Sequence, residues 1–199
     1  LVIAEHNGVE AILVANKLDL RIEEDDYIDD ALALYEGLGY RTFRTSTEDP
    51  DDPGIAGLRA ALVGRVSAFS GPSGAGKSSL VNCVEPGLEL RVGSTSEAHG
   101  KGRHTTRVAT LHPLTGGGFI ADTPGIRELA SFEIPDAQLA QCFREFRPFL
   151  KQCGFRSCRH LSEPGCAILA AVESEDIDSE RYESFAKLLL GEKRPDRVG

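Results

Sequence analysis

The chain has 199 residues, which is enough for one domain of ordinary size and a small second one, but too few for two large domains. Apolar residues make up 41% and charged residues 27%, which excludes a disordered, collagen-like or coiled-coil chain. The 22 basic and 31 acidic side chains give a net charge of −9, which excludes a wholly basic nucleic-acid coat but not a local basic patch. There is no apolar run of about 18 residues and no signal-peptide pattern, so we expect a soluble, cytoplasmic monomer. Because the sequence starts at Leu1 and has no Met, we also expect it to be a fragment.

The first part of the chain alternates short apolar runs with amphipathic segments. The run 11–15 predicts a buried parallel strand, and the spacing of apolar residues from Tyr27 to Tyr35 predicts a helix that Gly37 and Gly39 end. Further strands are predicted at 42–45 and 66–70, and further helices at 55–63 and 77–84. This alternation predicts a βαβ sheet with helices on both faces.

The later part of the chain changes in character. Residues 85–105 are glycine-rich and polar without periodicity, a length that usually marks a functional segment in a compact domain. The remaining predicted elements are strands at 107–111 and 118–122 and helices at 136–143 and 179–190. A Cys- and His-rich segment lies between the last two helices, so we predict a first domain at 1–133 and a second at 134–199.

Residues 71–78 match the phosphate-binding pattern G-x-x-x-x-G-K-[ST] between a predicted strand and a predicted helix, which is the context that this pattern requires. The glycines let backbone N–H groups turn toward phosphates, and the helix N-terminus adds partial positive charge. Lys77 would bridge the β- and γ-phosphates and Ser78 would bind Mg²⁺. The string alone is equally typical of guanylate kinases, ABC-type ATPases and GTPases, so it leaves the nucleotide open.

A D-x-x-G tetrapeptide, Asp122 to Gly125, ends the strand predicted at 118–122. An aspartate in this place can hold Mg²⁺ through water, and the Gly125 N–H can reach a γ-phosphate. By itself the tetrapeptide is more typical of a plain turn. Its position after a phosphate loop favours nucleotide binding.

The segment Asn16-Lys-Leu-Asp19 directly follows the strand predicted at 11–15. The Asp19 carboxylate can accept hydrogen bonds from both N1–H and N2–H₂ of guanine, a pairing that adenine cannot offer. Asn16 can tether nearby backbone and base, and the stem of Lys17 can lie over the base plane. Taken alone, Asp19 would be interpreted as a helix N-cap.

The order of these motifs is unusual. In ordinary GTPases N-K-x-D follows the phosphate loop and D-x-x-G, whereas here it comes first, so the chain resembles a circularly permuted GTPase. Ser46 and Thr47 then stand in the place of the motif whose backbone contacts guanine O6. Because ligands of such sheets bind at the carboxyl ends of the strands, a permuted chain can still assemble the same pocket.

Three of the five cysteines and one histidine fall within fourteen positions, Cys153, Cys158, His160 and Cys166. The odd cysteine count argues against a disulfide framework. Three thiolates and one imidazole are the ligand set of a closed, tetrahedral Zn²⁺ site. The spacing therefore predicts one structural zinc ion.

Basic residues lie in and just before this cluster, namely Arg144, Arg147, Lys151, Arg156 and Arg159. Between 144 and 159 only Glu145 has the opposite sign. On an acidic chain this predicts a local positive patch suited to a phosphate backbone, with a solvated surface as the alternative.

Permuted GTPase motifs followed by this Cys/Cys/His/Cys finger resemble the bacterial ribosome small-subunit-dependent GTPase A family over essentially the whole chain. The resemblance implies an α/β, circularly permuted P-loop GTPase domain followed by a small, mainly helical zinc-binding domain. It also implies GTP hydrolysis in late maturation of the small ribosomal subunit, activation by the ribosome and contact with its rRNA. Family members carry an N-terminal OB-fold that nothing here matches, so it implies that the chain begins after that domain.

The resemblance further assigns residues to GTP or GDP, to Mg²⁺ and to zinc. Base recognition falls on Asn16, Lys17 and Asp19, and zinc binding on the four Cys and His ligands. Phosphate binding falls on Gly71, Pro72, Ser73, Gly74, Ala75, Gly76, Lys77, Ser78 and Ser79. The first switch falls on 102–106, with Thr105 or Thr106 binding Mg²⁺ and the γ-phosphate.

The position after Gly125 holds Ile126, where many GTPases carry a water-orienting glutamine. An isoleucine cannot hold water, so we expect catalysis to depend on His104 in the first switch. Two alternatives stay open. A P-loop kinase or transporter-type ATPase would explain neither N-K-L-D nor the zinc ligands, whereas a GTP-dependent RNA-binding clamp with negligible turnover would explain both.

Overall fold

The computed structural model describes residues 1–22, 27–49, 51–88, 110–122 and 134–191. The chain forms two compact units, which are treated separately below. The central unit comprises Ile12–Ala130, and the cysteine unit comprises Leu1–Ala11 together with Ser131–Gly199. The first domain predicted at 1–133 thus differs from the central unit chiefly in residues 1–11, which group with the cysteine unit.

The central unit contains five described strands: β1 (Ile12–Asn16), β2 (Arg41–Thr45), β3 (Val66–Ala68), β4 (Thr110–Pro113) and β5 (Phe119–Asp122). β1 and β2 pair in parallel, from Ile12 opposite Arg41 to Asn16 opposite Thr45. The other three form a sheet in the order β3-β5-β4, in which β3 and β5 are parallel and β4 is antiparallel to β5. The described strands therefore form two sheets, where the sequence predicted one.

The three longer helices of the central unit are α2 (Tyr27–Gly37), α3 (Pro53–Leu62) and α4 (Lys77–Val84). α3 begins where the Asp52 carboxylate accepts a hydrogen bond from the Ile55 N–H at 2.8 Å, with proline in the first turn. Apolar side chains of α3 and α4 bury one cluster against β5 and the turn before it: Ile55, Leu58, Leu62, Leu80, Val81, Val84, Leu114 and Ile120. This cluster holds α4, and with it the end of the phosphate loop, against the sheet.

Two predicted strands have different bounds in the structure. β3 ends at Ala68, and the chain then leaves the sheet into the phosphate loop. The strand predicted at 107–111 extends to Pro113, because its antiparallel pairing with β5 continues from Thr110 opposite Asp122 to Pro113 opposite Phe119, while residues 107–109 lie outside the described part of the chain. The following turn brings Gly118 close to Arg65, where an added Cβ would lie 2.4 Å from the Arg65 carbonyl oxygen.

The α-helices described in the cysteine unit are α1 (Val2–His6), α5 (Asp136–Leu139), α6 (Ala167–Glu173) and α7 (Ser179–Leu189), of which only α7 exceeds seven residues. Its centre is formed by Phe143, Phe146 and Phe185, which are at most 1% exposed and have ring centroids 5.0–5.5 Å apart. The helix predicted at 136–143 stops at Leu139 and continues as a 3₁₀ turn, Ala140–Cys142. α1 and α6 were missed by the sequence analysis. Among the described residues no helix is long and apolar enough to cross a membrane.

Candidate functional site

Asn16 joins two motifs that lie 59 residues apart in the chain. As the last residue of β1, it donates a hydrogen bond from Nδ2 to the Ala75 carbonyl oxygen of the phosphate loop at 3.0 Å. Its Oδ1 accepts a hydrogen bond from the hydroxyl of Thr45 at 3.0 Å. Both polar ends of the amide are therefore engaged, which fixes the side chain against the phosphate loop.

Thr45 is fully buried, and the sequence analysis did not select it. It is the last residue of β2 and stands opposite Asn16 in the parallel register. The sequence signal that could have identified Thr45 is its position at the end of a predicted strand, directly before Ser46. The register between the two strands, which the sequence does not give, turns that threonine into a partner of Asn16.

Asp19 and Ser46 meet at the same edge of the sheet. Lys17 has a left-handed backbone (φ 68°), which turns the chain out of β1 into a short 3₁₀ helix that presents Asp19. The Ser46 hydroxyl donates to Asp19 Oδ1 at 2.6 Å, and the Ser46 N–H donates to Asp52 Oδ2 at 3.1 Å. The loop that carries Ser46 and the half-buried Thr47 is thus tied to the start of α3 and orients the Asp19 carboxylate.

The phosphate loop connects β3 to α4, as the sequence predicted. Gly76 has a positive φ of 81°, and an added Cβ would lie only 2.4 Å from Asn16 Nδ2. Glycine is therefore required here both by the backbone and by the close approach of Asn16 in the N-K-L-D segment. Lys77 folds back over the loop and donates to the carbonyl oxygens of Gly71 at 2.9 Å and Pro72 at 2.7 Å.

This arrangement has the chemistry of a nucleotide site. The N-terminus of the eight-residue helix α4 and the backbone N–H groups of the loop attract an anion, and the Lys77 ammonium lies over the same loop. The Asp19 carboxylate offers a hydrogen-bond acceptor at the edge of the sheet, and its partner Ser46 holds it in place. Ser78 and Ser79 lie half-buried in the first turn of α4, so the Ser78 hydroxyl fits as a ligand to Mg²⁺ beside bound phosphates.

Several predicted site residues lie outside what the structure describes. These are the catalytic candidate and the switch residues, His104, Thr105, Thr106 and Gly125. Asp122 ends β5, which runs parallel to the strand that precedes the phosphate loop. The backbone of Asp122 therefore reaches the carboxyl edge of that sheet, as predicted, while the switch assignments stay predictions.

The four predicted metal ligands come together in the cysteine unit. The ligand atoms of Cys153, Cys158, His160 and Cys166 all lie within 4.8 Å of one another. His160 Nδ1 lies 3.5 Å from the sulfur atoms of both Cys153 and Cys166. A tetrahedral zinc ion with ordinary bond lengths separates its nitrogen and sulfur ligands by roughly 3.5 Å, so the donor set and its spacing fit Zn²⁺.

The surroundings of the cluster favour metal binding through His160 Nδ1. Burial lowers the pKa of His160, so its imidazole is neutral at pH 7. Its backbone is left-handed (φ 63°), and its carbonyl oxygen accepts a hydrogen bond from the Tyr182 hydroxyl at 2.9 Å. Burial raises the pKa of the Cys158 thiol to about 12, so binding of a metal there must release its proton.

Glu163 holds the loop between two of the ligands. Its carboxylate accepts hydrogen bonds from the backbone N–H groups of Arg159, Leu161 and Ser162 at 2.9–3.1 Å. These donors, with its own backbone N–H, lower the pKa of Glu163 to about 2. The sequence analysis did not assign a role to this side chain, which organises the ligand loop by accepting these backbone hydrogen bonds.

The predicted basic patch is smaller than the sequence indicated. Arg144 and Arg147 are paired with Glu5 of α1, at 2.8 and 2.6 Å, and the Glu5 side chain is only 7% exposed. Glu145 turns inward and pairs with Arg181 at 2.6 Å. Glu145 is the acidic residue of that sequence segment, but the partner of Arg144 and Arg147 is Glu5, which lies about 140 residues earlier in the chain.

The motif order, the phosphate loop and the sheet together define a circularly permuted GTPase, which confirms the predicted fold class of the central unit. A protein-family model described as RsgA GTPase matches residues 1–132. The chain belongs to the RsgA GTPase family, as the resemblance implied.

Curated relatives named small ribosomal subunit biogenesis GTPase RsgA match most of the chain. The protein of Gemmatimonas aurantiaca is 51% identical over 94% of this chain and 60% of its own length. The protein of Chromohalobacter salexigens is 44% identical over 96% of this chain and 56% of its own. The chain thus spans less than two thirds of the length of these relatives.

Two solved structures share the fold. The crystal structure of YjeQ from Thermotoga maritima matches with a TM-score of 0.80 and 37% identity, over 97% of this chain and 64% of that one. The structure of YloQ, described as a circularly permuted GTPase, matches with a TM-score of 0.74 and 30% identity, over 98% and 61%. Both matches extend over the cysteine unit as well as the central unit.

Proposed function

We propose that this chain binds and hydrolyses GTP and acts in late maturation of the small ribosomal subunit. The observation that carries the proposal is the contact between Asn16 and Ala75, which places the base-recognition segment against the phosphate loop. The names of the curated relatives support the biological setting. The two-thirds of this chain that the family model covers include every motif of the nucleotide site.

Each side chain has a distinct task in this proposal. Asp19 accepts hydrogen bonds from the guanine edge, Asn16 holds the base-recognition loop to the phosphate loop, and the stem of Lys17 covers the base. Lys77 exchanges its carbonyl partners for the β- and γ-phosphates. When Mg²⁺ is bound it neutralises charge that develops on the phosphates, and Ser78 with Thr105 or Thr106 would hold it.

The chemical step is attack of water on the γ-phosphate, with GDP as the leaving group. Gly125 would offer its N–H to the γ-phosphate. Ile126 cannot orient the attacking water, so we assign that task to His104. Slow turnover of the free protein follows, and binding to the small subunit would raise the rate by bringing His104 to the attacking water.

We also propose that the cysteine unit carries one structural zinc ion on Cys153, Cys158, His160 and Cys166. The support is the ligand spacing and burial described above. Four protein ligands leave no open coordination position, so the ion has a structural and not a catalytic role. Contact of this unit with rRNA would link ribosome binding to the nucleotide state.

The test is GTP turnover of wild-type protein and of His104→Ala, each with and without purified small subunits. His6→Ala serves as a matched control, because it removes a histidine from α1, outside the nucleotide site. We expect small subunits to accelerate the wild type and the control, and His104→Ala to lose most of that stimulation while keeping its GTP affinity. Equal stimulation of His104→Ala removes His104 from the mechanism, and a wild type without stimulation favours the clamp alternative.

A further inference from the structure

A groove of about 760 Å³ runs along the cysteine unit beside the metal ligands. Its floor is apolar and includes Leu150, Phe185 and Leu189. Its volume lies in the range of sites that hold small organic groups, roughly 300–1,000 Å³. The walls of the groove include the predicted metal ligands Cys153, Cys158 and His160, so a bound zinc ion takes up part of this volume, while the residues of the nucleotide site do not line it.

The rim of the groove is basic. Lys151, Arg156 and Arg159 line it and are exposed, and Asp136 is the acidic residue among the lining residues. Arg159 and Asp136 pair with each other at 3.2 Å, with both side chains more than half exposed. Within the described part of the chain, Lys151 and Arg156 have no ion-pair partner, so they offer two cations at the rim of an otherwise acidic protein.

Phe155 lies between these cations in the sequence and lines the same groove. Its side chain is 54% exposed, whereas the three phenylalanines of the core are at most 1% exposed. Nothing in the described core uses this ring. An exposed aromatic face next to Lys and Arg is the combination that stacks a base while the cations bind its flanking phosphates.

We propose that this groove binds one unstacked nucleotide of single-stranded RNA, with the base on Phe155 and the adjacent phosphates on Lys151 and Arg156. The proposal rests on the proposed action on the ribosomal subunit and names the kind of RNA element that the cysteine unit contacts. A duplex hides its base faces in the stack and offers only edges and backbone, so it would leave Phe155 and the apolar floor unused. An acidic peptide would use the cations but gains less from a flat aromatic face.

The test uses two fluorescein-labelled RNA nonamers and fluorescence anisotropy with the full chain. One nonamer consists of abasic ribose phosphates with a single adenosine at its centre, and the other lacks that base. The two probes carry the same number of phosphates. Their affinity ratio therefore measures the base alone, while the salt dependence of either probe measures the phosphate contacts.

We expect the wild type to bind the adenosine probe roughly 5- to 150-fold more tightly than the fully abasic probe, the range that stacking on an aromatic side chain gives. Phe155→Ala should remove that preference without changing the salt dependence. Lys151→Ala and Arg156→Ala should each weaken both probes equally and lower the salt slope by about one. Leu188→Ala and Lys187→Ala are matched controls on α7, because both side chains are exposed and neither lines the groove.

Two further measurements on the same samples distinguish failure of this proposal from failure of the proposed function. Zinc content and binding of a fluorescent GDP analogue are measured on every variant and should equal those of the wild type. Equal affinity of the wild type for both probes, or a preference that survives Phe155→Ala, overturns the nucleotide groove whatever the GTPase results. Binding of an acidic peptide that depends on Phe155, without any base preference, also overturns it and assigns the groove to a protein partner.

Discussion

The two units of this chain hold their functional groups in place by different means. In the central unit, strands and helices set the positions of the loops, and single polar contacts such as that between Asn16 and Ala75 join them at the sheet edge. The cysteine unit has described helices of 4–11 residues, and its side chains add four predicted metal ligands, an apolar core around three phenylalanines and a buried ion pair. Loss of a predicted metal ligand or of a buried charged side chain should therefore destabilise the cysteine unit, whereas loss of a buried polar contact in the central unit should mainly lower ligand affinity.

The largest effect is expected from Cys158→Ala. With three ligands left, the cluster should lose its zinc, and the cysteine unit should unfold, because metal binding energy in small sites is folding energy of about 10 kcal/mol or more. The central unit has its own apolar core and should still bind GDP. Elemental analysis together with GDP-analogue binding checks both halves of the comparison. Wild-type protein that contains no zinc when freshly prepared would contradict the metal site.

Glu145→Ala tests the buried ion pair of the same unit. The side chains of Glu145 and Arg181 are 5% and 9% exposed, and the guanidinium also lies 4.8 Å from the Phe143 ring centroid. Glu145→Ala removes the carboxylate that faces this buried guanidinium, which costs about 3–5 kcal/mol. The free energy of unfolding in urea gives this value. Glu183→Ala, which breaks an exposed pair with Lys187, is the matched control and should change it by less than about 1 kcal/mol.

Thr45→Val makes the corresponding change in the central unit. The substitution keeps the shape of the buried side chain but leaves Asn16 Oδ1 without its donor, which costs about 1–3 kcal/mol. We expect this loss to appear mainly as weaker binding of guanine nucleotides, because Asn16 positions the base-recognition segment. Thr110→Val, on the exposed start of β4, should leave affinity unchanged. A Thr45→Val protein that binds GDP like the wild type would show that Asn16 needs no second anchor.

Ser46→Ala should have the smallest effect of the set. The hydroxyl orients Asp19 at 2.6 Å, but the site is open to water, so solvent replaces part of the lost hydrogen bond. We expect guanine nucleotide affinity to fall roughly 2- to 10-fold, about 1 kcal/mol. Isothermal titration of Ser46→Ala and of the control Ser162→Ala, an exposed serine of the cysteine unit, measures this. A loss as large as that of the Asp19 carboxylate itself would make Ser46 a direct ligand.

The parts of both sites that are formed by residues close together in the chain could be predicted from the sequence. The phosphate loop, the N-K-L-D segment and the four metal ligands are continuous or closely spaced patterns, and the structure brings each together as expected. Contacts between distant segments could not be predicted. Thr45 became a partner of Asn16 only through strand register, and Glu5 neutralises two arginines from about 140 residues away.

Short elements were also missed for physical reasons. α1 has five residues and no side-chain cap, and it acquires its partners only by packing in the cysteine unit. α6 follows directly on the ligand Cys166, which serves as its N-cap residue without a side-chain hydrogen bond. The sequence therefore gives no clear signal for α6, because the helix has only seven residues and lacks a typical capping residue.

The most direct test of the permuted site is the nucleotide selectivity of Asp19→Asn. Guanine gives Asp19 two hydrogen bonds to a charged acceptor, each worth about 1.5–3 kcal/mol, so the variant should bind GTP at least roughly 100-fold more weakly. The new amide donates to the C2 carbonyl of xanthine, so affinity for XTP should rise in the same variant. The account predicts this exchange, with ATP bound poorly by both proteins. Unchanged GTP affinity in Asp19→Asn, or ATP bound as tightly as GTP by the wild type, would contradict it.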